Sequence, residues 1–387
     1  MAAHAWELSK ALVQLGHEVT VLTAVEQRVH QSRFMYERIE IRDGVRIVHL
    51  GFPCFLRRYR NAYCLLMVKR HIRAYCRNRA DAVLHIHEHT RPTEIRSVSG
   101  KTPLVFTNHS SMFLAEFENT SNRDRLRRMA ESCDWITAPS QELCAKTVAL
   151  GYPEGRVTYI PNGVDTQRFK PDGHVKDRVL VLGNTAVRIA DGACVILCAR
   201  RFAHKNGLHI YLNALERMRP EVLSLCVLIF AGNKPDHDGD YGQEISQRIQ
   251  ALSRRVTCHL LGPVPNDSMS RVYQVADIAV LPSLKEATSI TGLESLASGV
   301  PLVGTNVGGI PELVEHDING LLSPPNDVAA LADNLTKLIA DVTLRSAMGA
   351  MGRRIAQDRF SWKQIAERFV RVYRSALNQR ESALRAK

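Results

Sequence analysis

Residues 282–301, PSLKEATSITGLESLASGVP, follow the apolar run DIAVL at 277–281. Such a run is typical of a buried strand in a parallel sheet. Glu286 lies in the loop after this strand, and Glu294, eight residues later, begins a helical pattern that a Gly and a Pro end. The sequence therefore predicts a buried strand that leads through a short loop into a helix.

The junction between this strand and this helix combines two kinds of binding group. A helix N-terminus presents backbone N–H groups and the positive end of the helix dipole, which suits a phosphate. The carboxylates of Glu286 and Glu294 accept hydrogen bonds and suit the hydroxyls of a sugar and a ribose. The local chemistry therefore predicts a ligand that is both a sugar and a phosphate.

Two cations follow an earlier apolar run at 194–199. Arg200 and Lys205 lie five residues apart, directly after the predicted strand. Open α/β sheets bind their ligands at the carboxyl ends of the strands, and two fixed cations there can stabilise a departing diphosphate. The alternative is an ordinary basic turn at the surface. We favour the binding interpretation because the pair of Glu residues lies downstream.

These features together resemble a known family. The two Glu eight residues apart, the small-Leu-Ala-x-Gly-x-Pro pattern and the run GGIPE at 308–312 resemble the donor-site signature of the family 4 retaining glycosyltransferases of the GT-B fold. The resemblance is strong from about 193 to 325 and looser from 1 to 170. It implies an α/β protein with two Rossmann-like doubly wound domains that face a cleft. It also implies transfer of a sugar from a nucleotide-diphosphate sugar, with a UDP-sugar as the predicted donor, to a hydroxyl acceptor such as a glycan, a lipid-linked sugar or an aminocyclitol.

The resemblance assigns roles residue by residue. Arg200 and Lys205 would stabilise the leaving diphosphate, Glu286 would hold the transferred sugar, and Glu294 would hold the ribose. His109 matches a His that faces the donor sugar and completes the predicted catalytic set, although a His at a strand end is also commonly a packing or capping residue. His4 matches a recurrent His of the first helix. The remaining predicted donor contacts are Thr288, Ser289, Ile290, Gly232, Asn233, Leu261 and Gly262. No cofactor is implied.

Strands alternate with helices in both halves of the 387-residue chain, which predicts parallel sheets in two domains. The predicted parts are an acceptor-side domain at 1–165 that the last helix at about 360–387 completes, a linker at 166–192, and a nucleotide-sugar domain at 193–359. Residues 1–8 already have a helical pattern and resemble the segment after the first strand and Gly-Gly loop of the family. The first domain is therefore expected to lack its first strand, and we hypothesise that the natural start lies upstream.

Composition restricts the partners and the compartment. A net charge of +12 and a pI near 9.4 favour an anionic partner. The basic residues match no nucleic-acid motif and have no aromatic platform, so no nucleic acid is predicted. Nine Cys without a C-x-x-C pair are typical of reduced thiols, which predicts a cytoplasmic location. No apolar run reaches the roughly 18 residues of a membrane-spanning helix.

Residues 55–79 are strongly basic, with apolar side chains between the cations. One interpretation is a basic amphipathic helix in peripheral contact with the inner face of an anionic membrane. The other is the solvated outer face of a helix that connects two strands. The sequence leaves both interpretations open.

Two patterns resemble metal sites. His85, His87 and His89 alternate, so on a strand they would face one side as zinc ligands do. A D-x-D lies within the acidic loop DHDGD at 236–240. The first pattern also fits a buried strand and the second a solvated loop, so we predict no metal.

Two other functions are compatible with the same fold. A sugar-nucleotide epimerase or hydrolase would need further carboxylates in the cleft for proton transfer, and only Glu88 and Glu116 are candidates. The second function is that of a non-catalytic partner that binds a nucleotide sugar. The absence of the first loop would favour this function.

Overall fold

A computed structural model describes most of the chain. The described residues are 2–27, 36–53, 60–77, 79–87, 92–109, 111–171, 178–182, 185–232 and 240–385. They divide into two compact units. The first contains Met1–Pro161 together with Trp362–Lys387, and the second contains Asn162–Ser361.

The first unit is an α/β structure whose described strands form two sheets. Its elements are α1 (Ala2–Gln14), β1 (Thr20–Gln27), β2 (Tyr36–Arg42), β3 (Val45–Pro53), α2 (Arg60–Cys76), β4 (Leu84–Ile86), α3 (Pro92–Ser99), β5 (Leu104–Thr107), α4 (Ser111–Glu118), α5 (Thr120–Glu131), β6 (Trp135–Ala138), α6 (Gln141–Ala149), β7 (Val157–Tyr159) and α14 (Trp362–Arg385). The order β4-β5-β6-β7 is parallel throughout, whereas in β1-β3-β2 the strand β2 is antiparallel to β3. Among the described strands, β1 and β4 each lie at a sheet edge.

Helices α1 and α14 pack against each other in the core of this unit. Leu8 and Leu12 of α1 are buried with Ile365 and Phe369 of α14, and Val105 of β5 belongs to the same cluster. The spacing of four residues places each helical pair on one face. The last helix of the chain therefore belongs to the first unit.

The second unit is built on one parallel sheet. Its elements are β8 (Val179–Leu182), β9 (Thr185–Arg188), β10 (Cys194–Ala199), α7 (Leu208–Arg217), α8 (Pro220–Leu223), β11 (Cys226–Ala231), α9 (Tyr241–Leu252), β12 (Thr257–Gly262), α10 (Met269–Gln274), β13 (Ile278–Leu281), α11 (Ile290–Ala297), β14 (Leu302–Thr305), β15 (Gly320–Ser323), α12 (Val328–Ala340) and α13 (Val342–Arg359). The strand order is β12-β11-β10-β13-β14-β15, and all pairs are parallel.

Both faces of this sheet are covered, which explains the continuous apolar strands. Every residue of β10, CVILCA, is buried. Ile196 packs into the core on one face, and Val195 and Leu197 pack into the core on the other. Side chains of successive strand residues point to opposite faces, so a strand buried on both sides must be apolar at every position.

The order of the strands reverses between β10 and β13, which are neighbours in the sheet although they are far apart in the chain. Ile196 pairs with Ile278 and Leu197 with Ala279. A reversal of this kind leaves a crevice beyond the carboxyl ends of the two strands, where doubly wound sheets bind ligands. A ligand site is therefore expected among the loops that follow β10 and β13.

Two local predictions differ from the structure. Part of the predicted linker 166–192 is the antiparallel hairpin β8–β9, whose Leu180 and Val187 are buried in a core of the second unit. The helix expected from Glu294 instead begins at Ile290, because the Ser289 side chain caps it by accepting a hydrogen bond from the Gly292 amide. No described helix combines the length and hydropathy required to cross a membrane.

Candidate active site

Arg200 and Glu286 meet at the carboxyl edge of the second unit's sheet. Arg200 follows β10, and Glu286 lies in the loop after β13. The guanidinium Nη2 donates to a carboxylate oxygen of Glu286, and the two side chains are only 11% and 13% exposed. Because β10 and β13 are neighbours, the fold brings together a cation and a carboxylate that lie 86 residues apart in the chain.

Two further polar side chains hold Arg200. Its Nη2 also donates to Asn206 Oδ1 at 2.7 Å and to Ser283 Oγ at 3.0 Å. Asn206 is buried and donates from Nδ2 to the Arg201 carbonyl at 2.8 Å. Asn206 and Ser283 were not predicted as residues of the site. Asn206 directly follows Lys205, and Ser283 directly follows Pro282 at the end of the strand. These positions were the only indications in the sequence that the two residues belong to the site.

Lys205 lies beside the same loop. It is exposed and lies in a short 3₁₀ turn, His204–Asn206. Its carbonyl accepts hydrogen bonds from the amides of Leu284 at 2.8 Å and Lys285 at 3.2 Å. The next residue, Gly207, has a φ of 69°, and a Cβ there would lie 1.8 Å from the Pro282 carbonyl oxygen. The backbone after β10 and the backbone after β13 are thus in direct contact.

The loop around Glu286 rests on the GGIPE run. A Cβ at Gly308 would lie 1.5 Å from the Glu286 carbonyl oxygen, and one at Gly309 would lie 2.6 Å from that of Ala287. The Gly309 amide donates to the Glu286 carbonyl at 3.2 Å. Only residues without a side chain permit this close approach, which explains the paired glycines of the signature.

Thr288 and Ser289 directly precede α11, and Ile290 is its first residue. The Thr288 hydroxyl accepts a hydrogen bond from Asn162 Nδ2 at 3.5 Å, Ser289 is buried as the cap, and Ile290 is exposed. The first amides of an α-helix have no partner within the helix. This segment therefore offers backbone donors immediately after the loop that carries Glu286.

Glu294 lies one turn into α11 and is buried, with 6% of its surface exposed. Burial raises the pKa of its carboxyl group to about 7, and the Arg168 cation and the Tyr273 hydroxyl only partly offset that rise. The Tyr273 hydroxyl in turn donates to the Thr291 carbonyl at 2.9 Å. A buried carboxyl group with this pKa changes its protonation state near neutral pH.

The other predicted donor contacts lie at the ends of neighbouring strands. The Gly232 amide donates to the Gly262 carbonyl at 2.8 Å, which ties together the ends of β11 and β12. A Cβ at Gly232 would lie 2.0 Å from the Arg200 carbonyl oxygen. Leu261 precedes Gly262 in β12 and is half-buried. Asn233 lies outside the described residues.

His109 and His4 lie in the first unit, together with His85 and His87. His87 Nδ1 and His109 Nε2 are 3.2 Å apart, and the His4 and His109 rings meet edge to face with centroids 4.4 Å apart. His4, His87 and His109 bring one potential metal-ligating atom each to within 4.8 Å of one another.

The structure describes only part of the two metal-like patterns of the sequence. Both ring nitrogens of His85 are engaged, Nδ1 with the Tyr373 hydroxyl at 2.7 Å and Nε2 with the Thr107 hydroxyl at 2.6 Å. His85 is therefore not positioned as a ligand beside His87. His89 and residues 236–239 of the acidic loop lie outside the described residues, as does Glu88.

Two family models match the chain. The model described as Glycosyltransferase Family 4 matches residues 1–168, and the model described as Glycosyl transferases group 1 matches residues 185–355. The matched ranges thus cover most of both units.

Individual glycosyltransferases are also similar to this chain. The chain is 30% identical over 291 residues to a D-inositol 3-phosphate glycosyltransferase of Corynebacterium jeikeium, covering 70% of this chain and 67% of that protein. It is 23% identical to an uncharacterised glycosyltransferase of Methanocaldococcus jannaschii, covering 97% and 94%. Among solved structures, Anabaena HepE in complex with UDP and glucose has a TM-score of 0.69 at 20% identity, covering 86% of this chain and 87% of HepE. That likeness shows the shared GT-B fold.

Proposed function

Since this chain belongs to family 4 of the glycosyltransferases and transfers a sugar from a nucleotide sugar, we propose that its second unit binds the donor at the carboxyl edge of the sheet. The observation that carries the proposal is the Arg200–Glu286 pair at the strand-order reversal. It places a cation and a carboxylate beside the amides of α11, which are the groups that a diphosphate and a sugar require.

In this proposal each group has a separate role. Arg200 and Lys205 neutralise the diphosphate, and the amides of Thr288–Ile290 donate to a phosphate or sugar oxygen. The Glu286 carboxylate accepts hydrogen bonds from hydroxyls of the transferred sugar while it also holds the Arg200 guanidinium. Glu294 accepts from the ribose hydroxyls. Gly232, Leu261 and Gly262 lie where the base and the rest of the nucleotide would approach the ends of β11 and β12.

The proposed reaction retains the anomeric configuration. The bond between the anomeric carbon and the diphosphate oxygen breaks, and a bond to the acceptor oxygen forms on the same face. The acceptor proton passes to an oxygen of the leaving phosphate. Stabilisation of the developing negative charge by Arg200 and Lys205 is the protein's main contribution. The route requires no metal ion, and we propose that the enzyme works without one.

The donor and the acceptor are proposed as classes. The UDP and glucose of HepE support a UDP-sugar. The Corynebacterium relative, a D-inositol 3-phosphate glycosyltransferase, supports a hydroxyl on a cyclitol as one acceptor class. His109 is proposed to face the donor sugar as a member of the catalytic set, and His4 is proposed to contribute to substrate binding. Both residues belong to the first unit.

A membrane surface is a second proposed partner of the first unit. Among the described residues of α2, Arg70, Arg73 and the nearby Arg77 are exposed, and Leu66 is 63% exposed on the same helix. An exposed basic helix with an exposed apolar residue suits the anionic inner face of a membrane. This proposal places the enzyme in the cytoplasm with peripheral membrane contact.

Proton NMR of the reaction tests the proposed function. The chain is incubated with a UDP-sugar and a cyclitol acceptor, with and without EDTA. We expect a new anomeric signal with the configuration of the donor, equally fast in EDTA. Inversion of the configuration would contradict the proposed mechanism. An epimerised nucleotide sugar, or free sugar alone, would instead identify the epimerase or hydrolase.

A further inference from the structure

The first unit brings three imidazoles together from three separate elements. His4 lies in α1, His87 directly follows β4, and His109 lies just beyond β5. His4 is buried, and His87 and His109 are half-buried. The three ring centroids lie 4.4 to 5.5 Å apart. Residues far apart in the chain thus present nitrogen atoms to one small volume.

We propose that His4, His87 and His109 form a binding site for a transition-metal ion of the zinc type. Zn²⁺ binds His nitrogen at about 2.0–2.1 Å in a tetrahedron, which separates two ligand nitrogens by about 3.3 Å. His87 Nδ1 and His109 Nε2 are 3.2 Å apart, and the three residues offer one ring nitrogen each within 4.8 Å of one another.

Neutral imidazole is the form of histidine that binds a metal ion. The rings of Trp362 and Phe369 pack around His4 at 5.1 and 6.1 Å, which supplies an apolar shell for the site.

His85 serves as the support of this site. Its ring lies 4.0 Å from that of His87, and its two nitrogens are held by Tyr373 and Thr107. Three protein ligands leave the fourth tetrahedral position open to water or an added ligand. A bound metal would also occupy ring nitrogens of His4 and His109, so we expect Zn²⁺ to inhibit any step that uses these residues. The site itself does not depend on the proposed function.

Calorimetric titration of the chelator-treated full chain with zinc chloride tests the proposal. We expect one ion per chain. His87→Ala and His87→Phe should each weaken the binding at least tenfold, and the Phe variant keeps the space filled if the cavity left by Ala impairs folding. His17→Ala removes an exposed His of the same unit and should leave the affinity unchanged.

Cobalt(II) gives a second readout on the unmodified chain. Tetrahedral nitrogen ligation produces intense visible bands, whereas a surface-bound hydrated ion produces weak octahedral bands. Intense bands that His87→Phe abolishes would support the site. Absence of zinc binding, equal affinity in the His87 variants, or octahedral bands alone would overturn it.

Discussion

At the scale of single residues, the candidate site is built around the ion pair between Arg200 and Glu286. Each side chain is mostly buried, and Asn206 and Ser283 add hydrogen bonds to the same guanidinium nitrogen. Removing one partner of such a pair leaves the other charge without its counter-ion in a poorly solvated place. In the proposed mechanism this carboxylate both orients Arg200 and binds the sugar.

Glu286→Gln keeps the size of the side chain and removes its charge. We expect kcat/KM for sugar transfer to fall by about 10²-fold or more, since the charged acceptor of the sugar hydroxyls is lost. The free energy of unfolding should fall by about 1–3 kcal/mol, because Arg200 loses its charged acceptor. Steady-state kinetics and urea denaturation measure the two effects.

Glu315→Gln is the matched control. This carboxylate pairs with Arg359 at 2.6 Å but is 47% exposed, so both quantities should remain close to those of the wild type. Near-normal turnover of Glu286→Gln would remove Glu286 from the site.

We expect Glu294 to make the folding stability depend on pH. Its folded-state pKa of about 7 lies above the ordinary value of 4.5, so the folded chain retains a proton that the unfolded chain loses. The contribution of Glu294 to the free energy of unfolding is therefore fully present below pH 4.5, and it is lost as the pH rises to 7. The rise in pKa corresponds to about 3 kcal/mol.

Glu294→Gln, which is neutral at every pH, should abolish this dependence. In urea denaturation between pH 4.5 and 8, the unfolding free energy of the wild type should fall by about 3 kcal/mol relative to that of the variant. Parallel pH profiles for the two proteins would show that Glu294 ionises normally.

The types and positions of the charged residues were predictable, but their pairing was not. Arg200, Lys205, Glu286 and Glu294 were identified from spacing and resemblance. That Arg200 binds Glu286 follows from β10 and β13 being neighbours, a property of the strand order that no local pattern contains. Asn206 was not predicted as a site residue, because an Asn that follows basic residues is also common in ordinary turns.

At the scale of elements, the site depends on loops that touch through their backbones. The 308–309 glycines contact the carbonyls of Glu286 and Ala287, and Gly207 contacts that of Pro282. The backbone position of Glu286 is thus determined by a neighbouring loop as well as by its own strand. The N-terminus of α11 is fixed by the Ser289 cap.

Gly308→Ala tests this contact. Gly308 has a φ of 52°, and its Cβ would overlap the Glu286 carbonyl oxygen, so the 286–288 loop must move. We expect a large loss of transfer activity together with a loss of stability beyond the backbone strain alone. Turnover and urea denaturation are the measurements.

Gly192→Ala separates the two effects. Gly192 has a φ of 76° with no atom within 4 Å of its Cβ, so the substitution imposes the strain without the clash. It should cost about 1–2 kcal/mol and leave the turnover intact. Equal effects of the two substitutions would contradict the proposed contact.

The proposed contact of helix α2 with an anionic membrane can be tested by removing its exposed cations. Arg70→Ala with Arg73→Ala should weaken binding to phosphatidylserine vesicles about 30-fold, from about 1 kcal/mol per cation near the surface. Co-sedimentation at low salt measures the binding. Arg254→Ala with Arg255→Ala removes two exposed cations of the second unit as a control. Equal loss in both variants would indicate that net charge alone, and not α2, attracts the vesicles.

Elements were predictable where their pattern was long or apolar. Strands such as β10 and β13 were expected within a residue of their observed bounds because burial on both faces makes them continuous apolar runs. The hairpin β8–β9 was mistaken for linker because its buried Leu180 and Val187 are short signals among polar neighbours. The start of α11 was misplaced because a Ser cap followed by Ile and Thr has weak helix propensity.

At the scale of the whole molecule, the alternation of strands and helices was sufficient to predict two α/β parts. The last helix joins the first unit through its apolar face, which the sequence could indicate only through resemblance. The grouping of His4, His87 and His109 was not predictable, because three elements of the fold must meet to form it. At this scale, the proposal is that the second unit binds the donor.

Thermal unfolding with a panel of UDP-, GDP-, ADP- and TDP-sugars tests whether the second unit binds the donor. Ligands that bind only the folded state stabilise it by mass action, by about 2.7 kcal/mol at a hundredfold excess over Kd. We predict that one nucleotide, UDP, raises the Tm of the wild type, that Lys205→Ala reduces the shift, and that Lys337→Ala, at an exposed ion pair, preserves it. No shift with any nucleotide sugar, or an equal shift in Lys205→Ala, would contradict the proposed donor site.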